Sequence, residues 1–151
     1  MLVGIISDTH GTLPPGVAAA FDGVERIVHA GDIGSQRVLD ELEAIAPVVA
    51  VRGNMDTGEL EWRLQDSAVV RIDGCRIFVC HKIEHAMRNG VAPEVDVVVT
   101  GHTHRARVER RGDVLFVNPG PGGAEARDGR GPTVAVLDCA ADPPIARIVD
   151  L

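Results

Sequence analysis

The stretch Leu2-Val-Gly-Ile-Ile-Ser-Asp8-Thr-His10-Gly11 decides how the rest of the chain is read. It is an apolar run without polar alternation, the pattern of a strand buried on both faces, and it ends in Asp and His, side chains that bind metal ions. The arrangement recurs. Arg26-Ile-Val-His-Ala leads into Gly31-Asp32, Val48-Val-Ala-Val-Arg into Gly53-Asn54-Met-Asp56, Arg76-Ile-Phe-Val-Cys into His81, and Val95-Asp-Val-Val-Val into Thr100-Gly-His102-Thr-His104. If the carboxyl ends of these strands share one edge, they gather carboxylates, an amide and four imidazoles at one place, with room for two ions. Such a mixed shell suits divalent ions of the manganese, iron and zinc class. Gly31, Gly53 and Gly101 each precede a proposed ligand, where a bare backbone permits a sharp turn and close approach.

The segments between the strands predict the connections. A short helix around Val17 to Phe21 returns the chain to the second strand. Val38, Leu39, Leu42 and Ile45 recur at helical spacing, with Ser35 placed to cap the helix and Pro47 to stop it. Strand, helix, strand is the unit of a parallel sheet. Asp56 to Gln65 reads as a short helix or loop. Asp73-Gly74 between Ala68–Ile72 and Arg76–Cys80 marks a hairpin, and Gly112-Asp113 marks a second between Arg105–Arg111 and Val114–Val117. A short helix follows near Ile83 to Asn89, Gly120 to Pro132 forms the longest loop, and Thr133–Asp138 and Ile145–Val149 are the last strands. The fold class expected is α/β, two packed mixed β-sheets flanked by helices, one of them mostly parallel, in a single domain spanning residues 1–151.

Composition narrows the function. The 151 residues are 45% hydrophobic with a net charge of −7, so a core forms without staples and a duplex nucleic-acid footprint is not expected. The one basic cluster, Arg105, Arg107, Arg110 and Arg111, reads as a solvated face or a phosphate-facing rim. Three cysteines, Cys75, Cys80 and Cys139, form no Cys-x-x-Cys pair, which fits core packing in a reducing, cytoplasmic setting. No apolar run is long enough to span a bilayer, and no cleavable signal is expected where Met1 leads directly into a strand.

Asp8-x-His10, Gly31-Asp32, Gly53-Asn54-x-Asp56, His81 and Gly101-His102-x-His104, in that order, resemble the motif series of the calcineurin-like metallophosphoesterases, in particular their small bacterial and archaeal phosphodiesterase branch. The resemblance runs from Leu2 to about Arg130. It implies two divalent ions, Mn first among them with Fe, Zn, Ni and Co also compatible. Asp8, His10, Asp32 and His104 would hold one ion; Asp32, Asn54, His81 and His102 would hold the other, with Asp32 as the bridge. Asp32, Asn54 and His81 would thus stand at the reaction centre. The implied reaction is hydrolysis of a small phosphoester, more readily a diester than a monoester, by a hydroxide generated between the ions. Asp56 is expected behind the ligands, orienting Asn54 or a histidine. The rival reading is a non-catalytic protein-binding scaffold of the same fold, similar to a retromer subunit, and oligomeric state is left open.

Three positions depart from the family pattern. Met55 stands where many larger relatives carry a histidine that protonates the leaving group. Lys82 replaces a small residue, where it either crowds the site or offers a cation to phosphate. The loop Asn118-Pro119-Gly120-Pro121 ends in proline where the family has serine, so Pro121 lacks both hydroxyl and N–H. Arg127 matches an arginine that contacts substrate or pins this loop. Of the residues left over, His29 reads as a buried structural histidine, His85 as a surface residue, and Trp62 as a packed or interface residue.

Overall fold

The computed structural model describes residues 1–88, 94–123 and 129–151. Arg127 and Asn89, the last residue of the expected fourth helix, lie outside them. Ten strands form two five-stranded sheets. The first holds β1 (Leu2–Ile6), β2 (Arg26–His29), β3 (Val48–Ala50), β9 (Thr133–Asp138) and β10 (Ile145–Asp150), in the order β10-β9-β1-β2-β3. Pairs β1–β2 and β2–β3 are parallel, whereas β1–β9 and β9–β10 are antiparallel. This sheet is therefore half parallel rather than mostly so. The second sheet holds β4 (Ser67–Ile72), β5 (Cys75–Cys80), β6 (Val97–Val99), β7 (Arg107–Arg111) and β8 (Val114–Asn118), ordered β4-β5-β6-β8-β7.

Alternation along each strand builds the layers. Val3 and Ile5 of β1 face Ile77, Val79, Val97, Val99 and Val117 of the other sheet. Ile6 turns the other way, beneath α1 (Gly16–Ala20) and α2 (Gln36–Glu43). Gly4 shares that outer face, where a Cβ would meet the Phe21 ring at 2.9 Å. Behind the second sheet a smaller cluster of Cys80, Ala86, Val95 and Val98 packs under α4 (Ile83–Arg88). The edge strand β7 is mostly exposed and carries Arg107, Glu109, Arg110 and Arg111, charges that discourage pairing with another sheet.

Other expectations need adjustment. The strand expected from Val95 begins at Val97, because Asp96 receives the Arg76 N–H on its side-chain carboxylate and gives its own N–H to the Arg76 carbonyl. Ser35 stands extended at the start of α2 but makes no capping hydrogen bond; its carbonyl alone starts the helix by accepting the Val38 N–H. Trp62 does not pack. It lies on α3 (Glu59–Arg63), whose buried residue is Leu60, and two residues further along a helix is the opposite face, leaving Trp62 86% exposed. All three cysteines are buried. Among the described residues no helix is long and apolar enough to cross a membrane.

Candidate metal centre

Parallel strands deliver their carboxyl ends to one edge, and both sheets use the same one. Asp8 and His10 follow β1, Asp32 follows β2, and Asn54 follows β3. From the second sheet, His81 follows β5, and His102 and His104 follow β6. Backbone hydrogen bonds tie the loops to one another: Asp8 N–H to the Gly31 carbonyl, His10 N–H to Asp32, Gly11 N–H to Ile33, and Gly101 N–H to His81. The price of these turns is backbone strain. Among the described residues six non-glycine positions have positive φ, and five are Asp8, His10, Asp32, His102 and His104. A left-handed L-residue costs roughly 1–2 kcal/mol, and such strain gathers at functional sites.

The side chains converge more tightly than the loops. Asp8 is fully buried. Its Oδ2 accepts hydrogen bonds from the Ser7 hydroxyl at 2.6 Å and from the His102 N–H at 3.0 Å. Its Oδ1 has no hydrogen-bond partner and faces three imidazoles, with His104 Nε2 at 3.2 Å and His10 Nε2 and His81 Nε2 each at 3.9 Å. His81 is anchored by Nδ1, which donates to the Ala30 carbonyl at 2.8 Å. That fixes Nε2 as the free nitrogen, 3.2 Å from Asp32 Oδ2 yet without a formed hydrogen bond. The other Asp32 oxygen accepts the Met55 N–H at 2.8 Å. His81 and His102 meet edge to face, ring centroids 5.2 Å apart.

Two clusters result: Asp8, His10 and His104, and Asp8, Asp32 and His81. Asp8 Oδ1 is common to both. A cation between these buried, unpartnered atoms would satisfy both of them. The spacing agrees, since two imidazole nitrogens on one tetrahedral ion at about 2.0–2.1 Å stand about 3.4 Å apart, and His10 Nε2 and His104 Nε2 are separated by 3.4 Å. Metal ligation therefore fits the residues present.

Electrostatics follow from the same contacts. Burial works against charge on His81, but the Asp32 and Asp8 carboxylates outweigh it and raise its pKa. Burial likewise opposes the Asp32 carboxylate, yet His81 and the Met55 N–H hold its pKa below the usual range. Burial and the charges of His81 and Lys82 lower His102.

The supporting residues differ in detail from expectation. Asp56 is buried, and its oxygens take the N–H groups of Gly53 at 2.8 Å and Gly34 at 3.0 Å. It pins the backbones that carry Asn54 and Asp32, rather than a ligand side chain. Asn118 donates to the Gly101 carbonyl and to Thr103 Oγ1 and accepts the Gly120 N–H, so it supports the histidine loop. Pro121 offers a carbonyl, which accepts the Thr133 N–H. Lys82 is exposed and lines a cleft with Asn54 and His81, so it does not crowd the ligands. His85, expected on the surface, is half-buried and lines that cleft from α4. His29 is fully buried; Nδ1 accepts the Gly31 N–H, and Nε2–H donates to Thr9 Oγ1, whose own hydrogen goes to the Ile33 carbonyl. Burial, then the neighbouring His81, pushes its pKa down to about 3. Ser7 and Thr9 were not singled out by the sequence reading; the signal was a pair of hydroxyls flanking an aspartate directly after an apolar strand. Gly31, Gly53 and Gly101 serve close approach of loop to loop. A Cβ on Gly101 would overlap the Ser7 hydroxyl, and one on Gly53 would overlap the Asp32 backbone.

An oxygen- and nitrogen-rich cluster at a strand edge, open to clefts, defines a metal-dependent hydrolytic centre rather than a closed structural site. The chain belongs to the calcineurin-like phosphoesterase superfamily, whose domain matches residues 1–142. It is 36% identical over 143 residues to a phosphodiesterase of Methanocaldococcus jannaschii, covering 80% of this chain and 83% of that protein. A solved archaeal phosphodiesterase structure superposes with a TM-score of 0.81 at 34% identity, over all of both chains. The vacuolar protein sorting 29 structure of Cryptosporidium parvum has a TM-score of 0.79 at 22% identity, over 99% of this chain and 91% of that one; this likeness is one of fold. The chain is a metal-dependent phosphoesterase.

Proposed function

We propose that the chain is a cytoplasmic phosphodiesterase acting on small diesters, with two divalent ions, Mn²⁺ foremost, held by Asp8, His10, Asp32, Asn54, His81, His102 and His104. The observation that carries this reading is the pair of buried acceptors, Asp8 Oδ1 and His81 Nε2, that face the same point without a hydrogen bond. Ions bound there would supply an activated water and neutralise the phosphate. The protein groups do the rest. Ser7 and the His102 N–H hold Asp8 in one orientation, Asp56 and Asn118 hold the loops, and Lys82 presents an ammonium to a phosphate oxygen.

A diester is favoured over a monoester because two clefts adjoin the ligand pair. One, of about 560 Å³, starts at His102; the other, of about 440 Å³, includes His81, Asn54 and Lys82. A phosphate between them can extend one ester arm into each.

The test is turnover of bis(p-nitrophenyl) phosphate and p-nitrophenyl phosphate by metal-stripped and Mn²⁺-reconstituted protein. The diester should be preferred, and activity should vanish on chelation and return with Mn²⁺. Full activity in a metal-free sample overturns the proposal. Asp8→Ala should weaken binding of both ions, and His10→Ala that of one.

A further inference from the structure

The larger cleft differs from its neighbour in chemistry as well as size. It runs from His102 and Asn118 over the half-buried ring of Phe116 to a rim bearing Arg105, Arg107 and Arg111 against Glu84 and Glu109. Three guanidinium groups to two carboxylates is a local excess of positive charge in a chain of net charge −7. The second cleft has the opposite balance, Arg52 and Lys82 against Asp56, Glu61 and Asp66, and Arg52 is already committed to Asp66 and to the Glu61 carbonyl.

The arginines are arranged for two kinds of contact. The Arg111 guanidinium lies over the Phe116 ring, 4.8 Å from its centroid, leaving its other planar face available for stacking. Arg107 and Arg111 share one carboxylate, Glu109, so together they remain one charge short of neutrality. Arg105, directly after the ligand His104, is exposed and makes no hydrogen bond or ion pair among the described residues. Guanidinium groups bind phosphate bidentately.

We propose that this cleft holds one arm of the diester and that this arm is a nucleotide: a planar base to stack on the Arg111–Phe116 pair and a phosphate of its own to engage Arg105 and Arg107. The inference rests on the phosphodiesterase reading above and names its substrate class. Hydrolysis would then break the far ester bond: the water oxygen adds to phosphorus, the other arm leaves as its alcohol or phenolate with the water proton passing to it or to solvent, and the nucleotide keeps the phosphate.

The experiment compares three nitrophenyl diesters on Mn²⁺-loaded protein: bis(p-nitrophenyl) phosphate, the p-nitrophenyl ester of thymidine 5′-phosphate, and that ester bearing a 3′-phosphate. The 3′-phosphorylated substrate should show a kcat/KM at least ten-fold above its unphosphorylated counterpart, chiefly through KM, and the advantage should shrink as salt is raised. The double variant Arg105→Ala/Arg107→Ala should lose that advantage, while Arg37→Ala, on α2 and lining neither cleft, should keep it. No preference in the wild type, or a preference that survives in the double variant, overturns the inference even if bis(p-nitrophenyl) phosphate is hydrolysed. Failure to hydrolyse any of the three with metal present would instead overturn the phosphodiesterase reading. The wild-type comparison needs no variant to fold.

Discussion

Substitution of Gly53 by alanine tests whether the loops are packed against one another to place Asp32. A Cβ at this position would lie 2.8 Å from Asp32 Cγ and would overlap the Asp32 nitrogen and Oδ1, whereas ordinary contact begins at 3.4 Å. The Asp32 carboxyl must therefore retreat by at least 3.4 − 2.8 = 0.6 Å. Ligand positions tolerate about 0.2 Å, and disturbing the groups that orient a ligand costs about 10–100-fold in metal affinity, so Mn²⁺ affinity should fall within that range. Overpacking of this kind costs about 1–3 kcal/mol; at about 2–4 °C per kcal/mol the metal-free melting midpoint should drop by roughly 2–12 °C. Gly131→Ala is the control, because nothing lies within 4 Å of its Cβ position. Binding is followed by the paramagnetic signal of free Mn²⁺ and folding by circular dichroism. Wild-type Mn²⁺ affinity together with an unchanged melting midpoint in Gly53→Ala would refute the reasoning.

Three further outcomes are expected. The pKa of His81 is raised above 6.5; without metal its protonation stabilises the fold below pH 6.5, and that contribution fades as pH rises through the folded-state value. Metal needs the same nitrogen unprotonated, so Mn²⁺ affinity should begin to fall above pH 6.5 on acidification, and a flat titration between pH 8 and 6 would count against His81 as a ligand. For His29 the sign reverses: with a folded pKa of about 3 against 6.5 unfolded, its stabilisation is complete above 6.5 and is lost as pH falls toward 3. The slope is about 1.4 kcal/mol per pH unit. Chemical denaturation of metal-free His29→Gln between pH 6 and 4 should show a shallower dependence than wild type, and equal slopes would show that His29 does not bury as the neutral form. Finally, Met55 is 61% exposed and leaves space for an imidazole beside Asn54. Met55→His should raise turnover of alkyl diesters by up to about 10²-fold while barely changing nitrophenyl diesters; a wild-type rate independent of leaving-group pKa, with chemistry rate-limiting, would show that a proton is already supplied.

Five of the expected ligand residues, Asp8, His10, Asp32, His81 and His104, come together in the structure; their strand-end positions were legible because a strand buried on both faces leaves an uninterrupted apolar run, and the polar residue that ends it marks the sheet edge. Hairpins at Asp73-Gly74 and Gly112-Asp113 were legible for the same local reason, since turn chemistry sits in adjacent residues. What stayed hidden depends on contacts between distant segments. The positive φ of Asp8 and His10 is held by carbonyls of Gly31 and Asp32, more than twenty residues away. Asp56 offered its carboxylate to the amide of Gly34, 22 residues away, as well as to the nearby Gly53. The antiparallel pairing of β9 with β1 joins the last third of the chain to its beginning, so half of the first sheet could not be oriented from local pattern. Of the two readings of Trp62, packed or at an interface, helix phase removes the first by placing it outward.

Each ligand cluster draws on both sheets: Asp8 and His10 from the first with His104 from the second, and Asp8 and Asp32 with His81. An ion held there works as a rivet between the two halves of the sandwich. Separating the sheets must break it, and by mass action a ligand at 100 times its dissociation constant adds about 2.7 kcal/mol to the folded state. Starvation for metal would thus loosen the whole molecule as well as silence its chemistry, and susceptibility to proteolysis would report the metal supply.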